Sequence, residues 1–154
     1  MLIGKESLWI TVGAAMVCLA IGLGAWAAHG LEGFITPMYE GQSKSVAGQT
    51  IPAVAKYVGD FKTAAEYQLS QGLGLILVGI LCRTNPGRAL RAAGVCLCLG
   101  TLLFSGSLYL LVLTGITKFG ALTPIGGLLL MIGWALVAFN TCPCRRCVSG
   151  PDPQ

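Results

Sequence analysis

The sequence predicts an all-α integral membrane protein, a single domain over 1–154 built as a bundle of four transmembrane helices plus a short amphipathic interfacial helix in the first loop. Three observations lead there. Of 154 residues, 55% are hydrophobic and 10% charged, whereas a soluble domain has about 45–50% and about 25%. The few charges leave long runs untouched, and the last three runs are joined by short connections. Ten Lys plus Arg, six Asp plus Glu and one His cannot clothe a water-facing surface, which excludes a soluble globular enzyme, and the apolar excess excludes a disordered chain.

The first span is Leu8 to Ala28, 21 residues without a charge. About 20 apolar residues cross a bilayer core. Lys5, this stretch and Ala25-Trp26-Ala27 also have the order of a secretory signal, but the stretch exceeds the usual length of about 7–15 residues. Gly13, Gly22 and Gly24 suit packing better than export, so the segment is expected to stay as a helix. The second span, Thr63 to Cys82, carries Glu66 in its first turns. Ala92 to Leu113 and Phe119 to Asn140, 22 residues each, are the third and fourth. Asn85-Pro86-Gly87 marks a turn between the second and third, and the short loops make neighbours antiparallel. Pro124 falls in the opening turns of the fourth, where a missing amide donor costs little.

The long first loop, His29 to Lys62, has two characters. Gly41 to Pro52 is rich in Gly, Ser and Gln and reads as flexible. Ala53 to Ala65 places Val54, Tyr57, Val58, Phe61 and Ala65 on one helical face, with Lys56, Asp60 and Lys62 off it, the pattern of an amphipathic helix lying at the interface. Partner binding is the alternative use of such a helix.

Lys and Arg sort by side. Lys5, Arg83, Arg88, Arg91, Arg145 and Arg146 fall on one side, with Glu6 and Asp152; Lys44, Lys56, Lys62 and Lys118 fall on the other, with Glu32, Glu40, Asp60 and Glu66. The positive-inside rule then predicts both termini, including the Cys-containing tail 141–154, in the cytoplasm of a cell bounded by a plasma or inner membrane. The net charge of +4 is accounted for by topology, so the expected partner is the lipid bilayer and no nucleic acid is called for. Small residues four apart, Ala14-Cys18-Gly22 and Ala20-Gly24-Ala28 on the first helix and Ala92-Cys96-Gly100 on the third, allow close helix approach. Gly72, Gly79, Gly126, Gly127 and Gly133 supply the others. A homo-oligomer or a larger membrane complex is the protein partner expected of such faces.

The segments GLGAWAAHGLE, AAEYQLSQGLGLILVGI and GTLLFSGSLYLLVLTGITKFGALTPIGGLLLMIGWALVA resemble the domain of unknown function 423 family, the YgdD-like small membrane proteins. LFSGSLY and TPIGG are its specific parts. The resemblance implies a four-helix membrane protein with no established activity. Two departures stand out: a longer first loop, and Gln71 where relatives commonly have histidine, which puts in doubt any chemistry that histidine performs.

Rise along the helices places His29, Glu66, Tyr67, Gln68, Gln71, Ser105, Ser107, Tyr109 and Thr123 at one level in the outer third, with Glu32, Ser70 nearby; Ser105 is about 12 Å from the outer end of its helix. Such a layer is read either as hydrogen-bonded glue, about 1 kcal/mol or less per bond, or as a ligand or proton site. Cys18, Cys96 and Cys98 read as small packing residues. Cys82 and the Cys142-Pro-Cys144-Arg-Arg-Cys147 tail meet at one interface. They read as simple thiols, as a zinc site, or as a target of acylation or redox chemistry favoured by the adjacent arginines. The spacing is half right for zinc, so no cofactor is the primary expectation. Phosphate-cradle, hydrolase and kinase motifs are absent, and no enzyme is expected. Two functions stay open: a non-catalytic structural or accessory subunit packing with itself or a larger complex, and a small-solute or proton-linked carrier using the polar layer.

Overall fold

The structure, a computed structural model, describes residues 5–46 and 48–142. In chain order it comprises α1 (Lys5–His29), α2 (Leu31–Tyr39), a hairpin of β1 (Ser43–Val46) and β2 (Gln49–Pro52), α3 (Ala53–Thr84), α4 (Arg88–Thr114), a 3₁₀ turn (Thr117–Ala121) and α5 (Thr123–Thr141). Four stretches are long and apolar enough to cross a bilayer: Ser7–His29, Ala53–Thr84, Arg88–Thr114 and Thr117–Thr141. Leu19, Ile21, Leu102, Leu128, Met131 and Phe139 turn outward along them. Such a belt of apolar side chains suits lipid and would be an aggregation surface in water.

The first loop departs from its sequence reading in two ways. Ala53–Ala65 is helical and buries Tyr57, Phe61 and Ala65 as its spacing predicts, yet it does not lie flat as a separate helix. No proline interrupts the chain between Pro52 and Pro86, which permits a continuous helix, and α3 runs straight through as 32 residues. At 1.5 Å per residue it is about 48 Å long, against a hydrocarbon core of about 30 Å. Its first turns therefore stand clear of the core. The short amphipathic helix is α2 instead, with Leu31, Ile35 and Tyr39 buried and Phe34 and Met38 exposed. Within the stretch expected to be flexible, Gly41 to Pro52, β1 and β2 pair as an antiparallel hairpin with Ser43 opposite Pro52 and Val46 opposite Gln49. Alternation of Ser, Lys, Gln and Thr gives a strand no hydrophobic signature, which is why composition misread it.

Helix ends follow the chain's punctuation. Pro86 bars helical geometry at Asn85, ending α3, and Pro124 occupies the first turn of α5. Gly115 closes α4 in the left-handed region at φ 72°, its N–H bonding Leu111 O at 2.9 Å.

Burial shows which helices are central. Half of the most apolar window of α3 and 44% of that of α4 are buried, against 11% for α1 and 22% for α5. α1 lies along α3, α3 along α4 and α4 along α5. Glycine sets both outer seams. A Cβ on Gly13 would stand 2.6 Å from Gly72 O, and one on Gly126 would stand 2.5 Å from Phe104 N and 2.9 Å from Gly100 O. Backbones this close are the means by which helices associate where lipid supplies no hydrophobic drive. Two tryptophans reach across: Trp9 of α1 covers Gly94 of α4, and Trp134 of α5 covers Gly74 of α3.

At the end opposite the termini the loop residues close over the bundle. Leu31, Ile35, Tyr39, Ala53, Tyr57 and Phe61 share one core with Leu108, Leu111 and Val112 of α4. Phe61 stacks edge-on to Trp26 at 5.4 Å and lies 4.7 Å from the Tyr109 ring. Tyr39 donates to Val112 O at 2.8 Å, pinning α2 to the last turns of α4. Its burial, with Tyr57 beside it, pushes the Tyr39 phenol above its ordinary range, so it stays neutral and keeps donating as pH rises through that range. The cap is a folded element, and it fixes the ends of α1, α3 and α4 that lie opposite the termini.

Candidate functional site

The polar residues expected at one level are not gathered into one cluster. Rise gives depth, but side chains also rotate by about 100° per residue round the axis, and azimuth parts them. On α3, Glu66 and Gln68 point nearly opposite ways. Gln68 is buried and donates from Nε2 to Met16 O of α1 at 3.0 Å. Gln71 is buried towards α5, where its Oε1 accepts from Trp134 Nε1 at 2.8 Å. Glu66 is exposed beside Lys62 in a shallow cleft of about 280 Å³ between α1 and α3. Tyr67 is exposed and stacks on Phe104 at 4.3 Å. His29 is exposed at the end of α1 and takes no part in the buried groups.

On α4 the same division recurs. Ser107 faces α5 and shares a hydrogen bond with Thr123 Oγ1 at 3.0 Å, while also donating to Phe104 O. Ser105 and Tyr109 lie one turn apart on another face; Ser105 Oγ and Tyr109 OH are buried with no hydrogen-bond partner among the described residues. Thr101, one turn below Ser105, was not singled out from sequence; it is buried and bonds Leu97 O at 2.7 Å.

Each polar group that bonds between helices joins one pair: Gln68 joins α3 to α1, Gln71 joins α3 to α5, Ser107 joins α4 to α5. The pairs sit in a low-dielectric medium where an unmade bond costs about 1–3 kcal/mol, so they fix which faces meet. Trp134 was the partner that sequence reading missed. An indole N–H within an apolar span must find an acceptor, and Gln71 is the buried acceptor at its depth. Among the described side chains, those of residues 7–46 and 48–142, no charged one and no histidine is buried.

The family model described as Protein of unknown function (DUF423) matches residues 23–127. A UPF0382 membrane protein of Staphylococcus haemolyticus is 39% identical over 134 residues, 87% of this chain and 94% of its own length. The UPF0382 membrane protein YwdK of Bacillus subtilis is 36% identical over 130 residues, 84% of this chain and 91% of its own. The chain belongs to the DUF423 family. No solved structure matches it. The match to DUF423 takes in the cap, all three bonded polar residues of α3 and α4, and Thr123, and it stops before Trp134.

Of the cysteines in this DUF423 chain, Cys82 is buried at the end of α3 and Cys142 is exposed just past α5. Cys144 and Cys147 lie outside the described residues. No group of three or more His, Cys, Asp or Glu stands together among the described residues. Cys96 and Cys98 are half-buried, as packing residues are, but Cys18 is exposed on the outward face of α1.

Proposed function

We propose that this membrane protein is a non-catalytic structural or accessory subunit of the plasma membrane that packs with itself or with a larger membrane complex. The observation that carries the reading is the use of the buried polar groups: Gln68, Gln71 and Ser107 are each committed to a helix joint, and no carboxylate, lysine, arginine or histidine is buried among the described side chains of residues 7–142. A proton-linked carrier needs such a group within its spans, paired or facing a water-filled path. His29 and Glu66, the histidine and the carboxylate of the expected polar layer, are both exposed.

The contact surface proposed is α1. Its glycine seam to α3 runs through Gly13, and Ala14, Cys18, Gly22 and Ala25 face away from that seam, exposed and within about 80° of arc at 100° per residue. A Cβ on Gly22 would meet nothing within 4 Å, so this face is open for a second helix. The orientation we infer puts the termini and Arg83, Arg88 and Arg91 in the cytoplasm and the cap outside.

Reconstitution into liposomes holding a pH-sensitive dye separates the two functions. After a pH jump, proton entry is expected to match that of empty liposomes. Entry several-fold faster, and abolished by Glu66→Gln, would establish the carrier instead.

A further inference from the structure

α5 packs on α4 and touches α3 chiefly through Trp134, which leaves a groove of about 740 Å³ between α3, α4 and α5. Tyr67, Gln71, Phe104, Gly127, Met131 and Trp134 are among its walls. Ligand sites have volumes of about 300–1,000 Å³, mostly apolar walls and a few placed polar groups. This groove has that make-up, and α1 contributes nothing to it, so it is independent of the contact face proposed above.

Its polar groups have a defined sense. Trp134 carries a single donor, and that donor occupies Gln71 Oε1. The amide is thereby oriented, because an indole N–H can only face the carbonyl oxygen. Gln71 Nε2 has two hydrogens and makes one long bond, 3.4 Å to Ser70 Oγ. The second hydrogen has no partner among the described residues. One turn above, on the same face of α3, the Tyr67 hydroxyl likewise makes no hydrogen bond among them. The groove thus offers two donors to an acceptor, beside the aromatic pair of Tyr67 and Phe104 and the apolar run of Leu128 and Met131.

Depth selects among acceptors. Gln71 is eight residues from Thr63 and twelve from Arg83, about 12 and 18 Å along the helix. In a core of about 30 Å it therefore lies about 12 Å below the nearer boundary. Phospholipid carbonyls stay at the interface, about 12 Å away. An acceptor that reaches Gln71 therefore belongs to a molecule dissolved in the hydrocarbon itself. We propose that the groove binds a ring carbonyl compound of the quinone class with an apolar tail, its carbonyl accepting from Gln71 Nε2 and Tyr67 OH and its tail lying along α5. The proposal is one of binding, with no electron transfer.

The test is titration of the full-length protein in nanodiscs with a short-chain alkyl-1,4-benzoquinone, read by quenching of tryptophan fluorescence, since Trp134 lines the groove. Saturable quenching is expected. Gly127→Leu fills the groove, where a Cβ would meet the Phe104 ring at an ordinary 3.8 Å, and is expected to abolish saturation with the melting temperature unchanged. Gln71→Leu is expected to weaken binding about tenfold, the value of one hydrogen bond in an apolar site. Quenching that rises linearly, and alike in wild type and Gly127→Leu, would show partitioning into lipid and overturn the site. Competition by dodecylbenzene as strong as by the quinone would make the groove a slot for alkyl chains and overturn the carbonyl assignment.

Discussion

Gly126→Leu is expected to destabilise the bundle by about 3 kcal/mol, the upper end of the cost of overpacking, or to prevent accumulation of folded protein. The obstruction is backbone: a Cβ on Gly126 would lie 2.5 Å from Phe104 N and 2.8 Å from Phe104 Cα. A side chain in the way can turn aside, but a helix backbone moves only with its whole helix, so α4 and α5 must part. Parting them also strains the bond between Ser107 and Thr123. The adjacent Gly127 is the internal control, because there a Cβ makes ordinary contact with the Phe104 ring, and Gly127→Leu is expected to cost less than about 0.5 kcal/mol, as at sites outside a packed seam. Melting in detergent, followed by size-exclusion chromatography, reads the difference. Equal melting of the two variants would mean that α4 and α5 do not meet where the structure places them.

Phe61→Ala is expected to cost about 3–4 kcal/mol, in the range for removing a buried phenylalanine. Phe61 is 1% exposed and holds together Trp26 of α1, α3 and Tyr109 of α4. Losing it opens a void at the junction of the cap and the bundle, so the hairpin should become cleavable by added protease while the glycine seams below stay closed. Phe34 serves as the comparison: it is 55% exposed on α2, and Phe34→Ala is expected to leave both stability and proteolysis near wild type. Phe61→Ala behaving like Phe34→Ala would show that the loop residues do not form a core.

Charge spacing along the chain was enough to place three of the four spans, because a charge inside hydrocarbon is so costly that its absence over 21 or 22 residues has few other meanings; the second rested on a 16-residue run, Tyr67 to Cys82, carried back past Glu66 to Thr63. The turn at Asn85-Pro86-Gly87 and the position of Pro124 were legible for local reasons of backbone geometry. Three things were not. The hairpin has polar strands with no alternating hydrophobic signal. The continuity of α3 depends on what its first turns pack against, chiefly α2 and the end of α4, and no local residue announces that. The polar layer was legible in depth and illegible in azimuth: Gln68 and Gln71 are three residues apart, yet one bonds α1 and the other α5, an outcome set by which helices flank α3. The small-residue stripes show the same limit. Ala14, Cys18 and Gly22 are a packing stripe by spacing, but the seam to α3 is made through Gly13, and the stripe faces outward.

That outward stripe makes the central proposal directly measurable. Cys18 lies in its middle and is exposed, so oxidative cross-linking in native membranes, with Cys142, Cys144 and Cys147 changed to serine, reports on α1 alone when compared with the same chain carrying Cys18→Ser. The predicted result is a Cys18-dependent species of twice the 16.0 kDa monomer mass, lost in Gly22→Leu without loss of the monomer. A chain that stays at the monomer mass while Cys18 is fully alkylated by a membrane-permeant thiol reagent would contradict self-packing through α1.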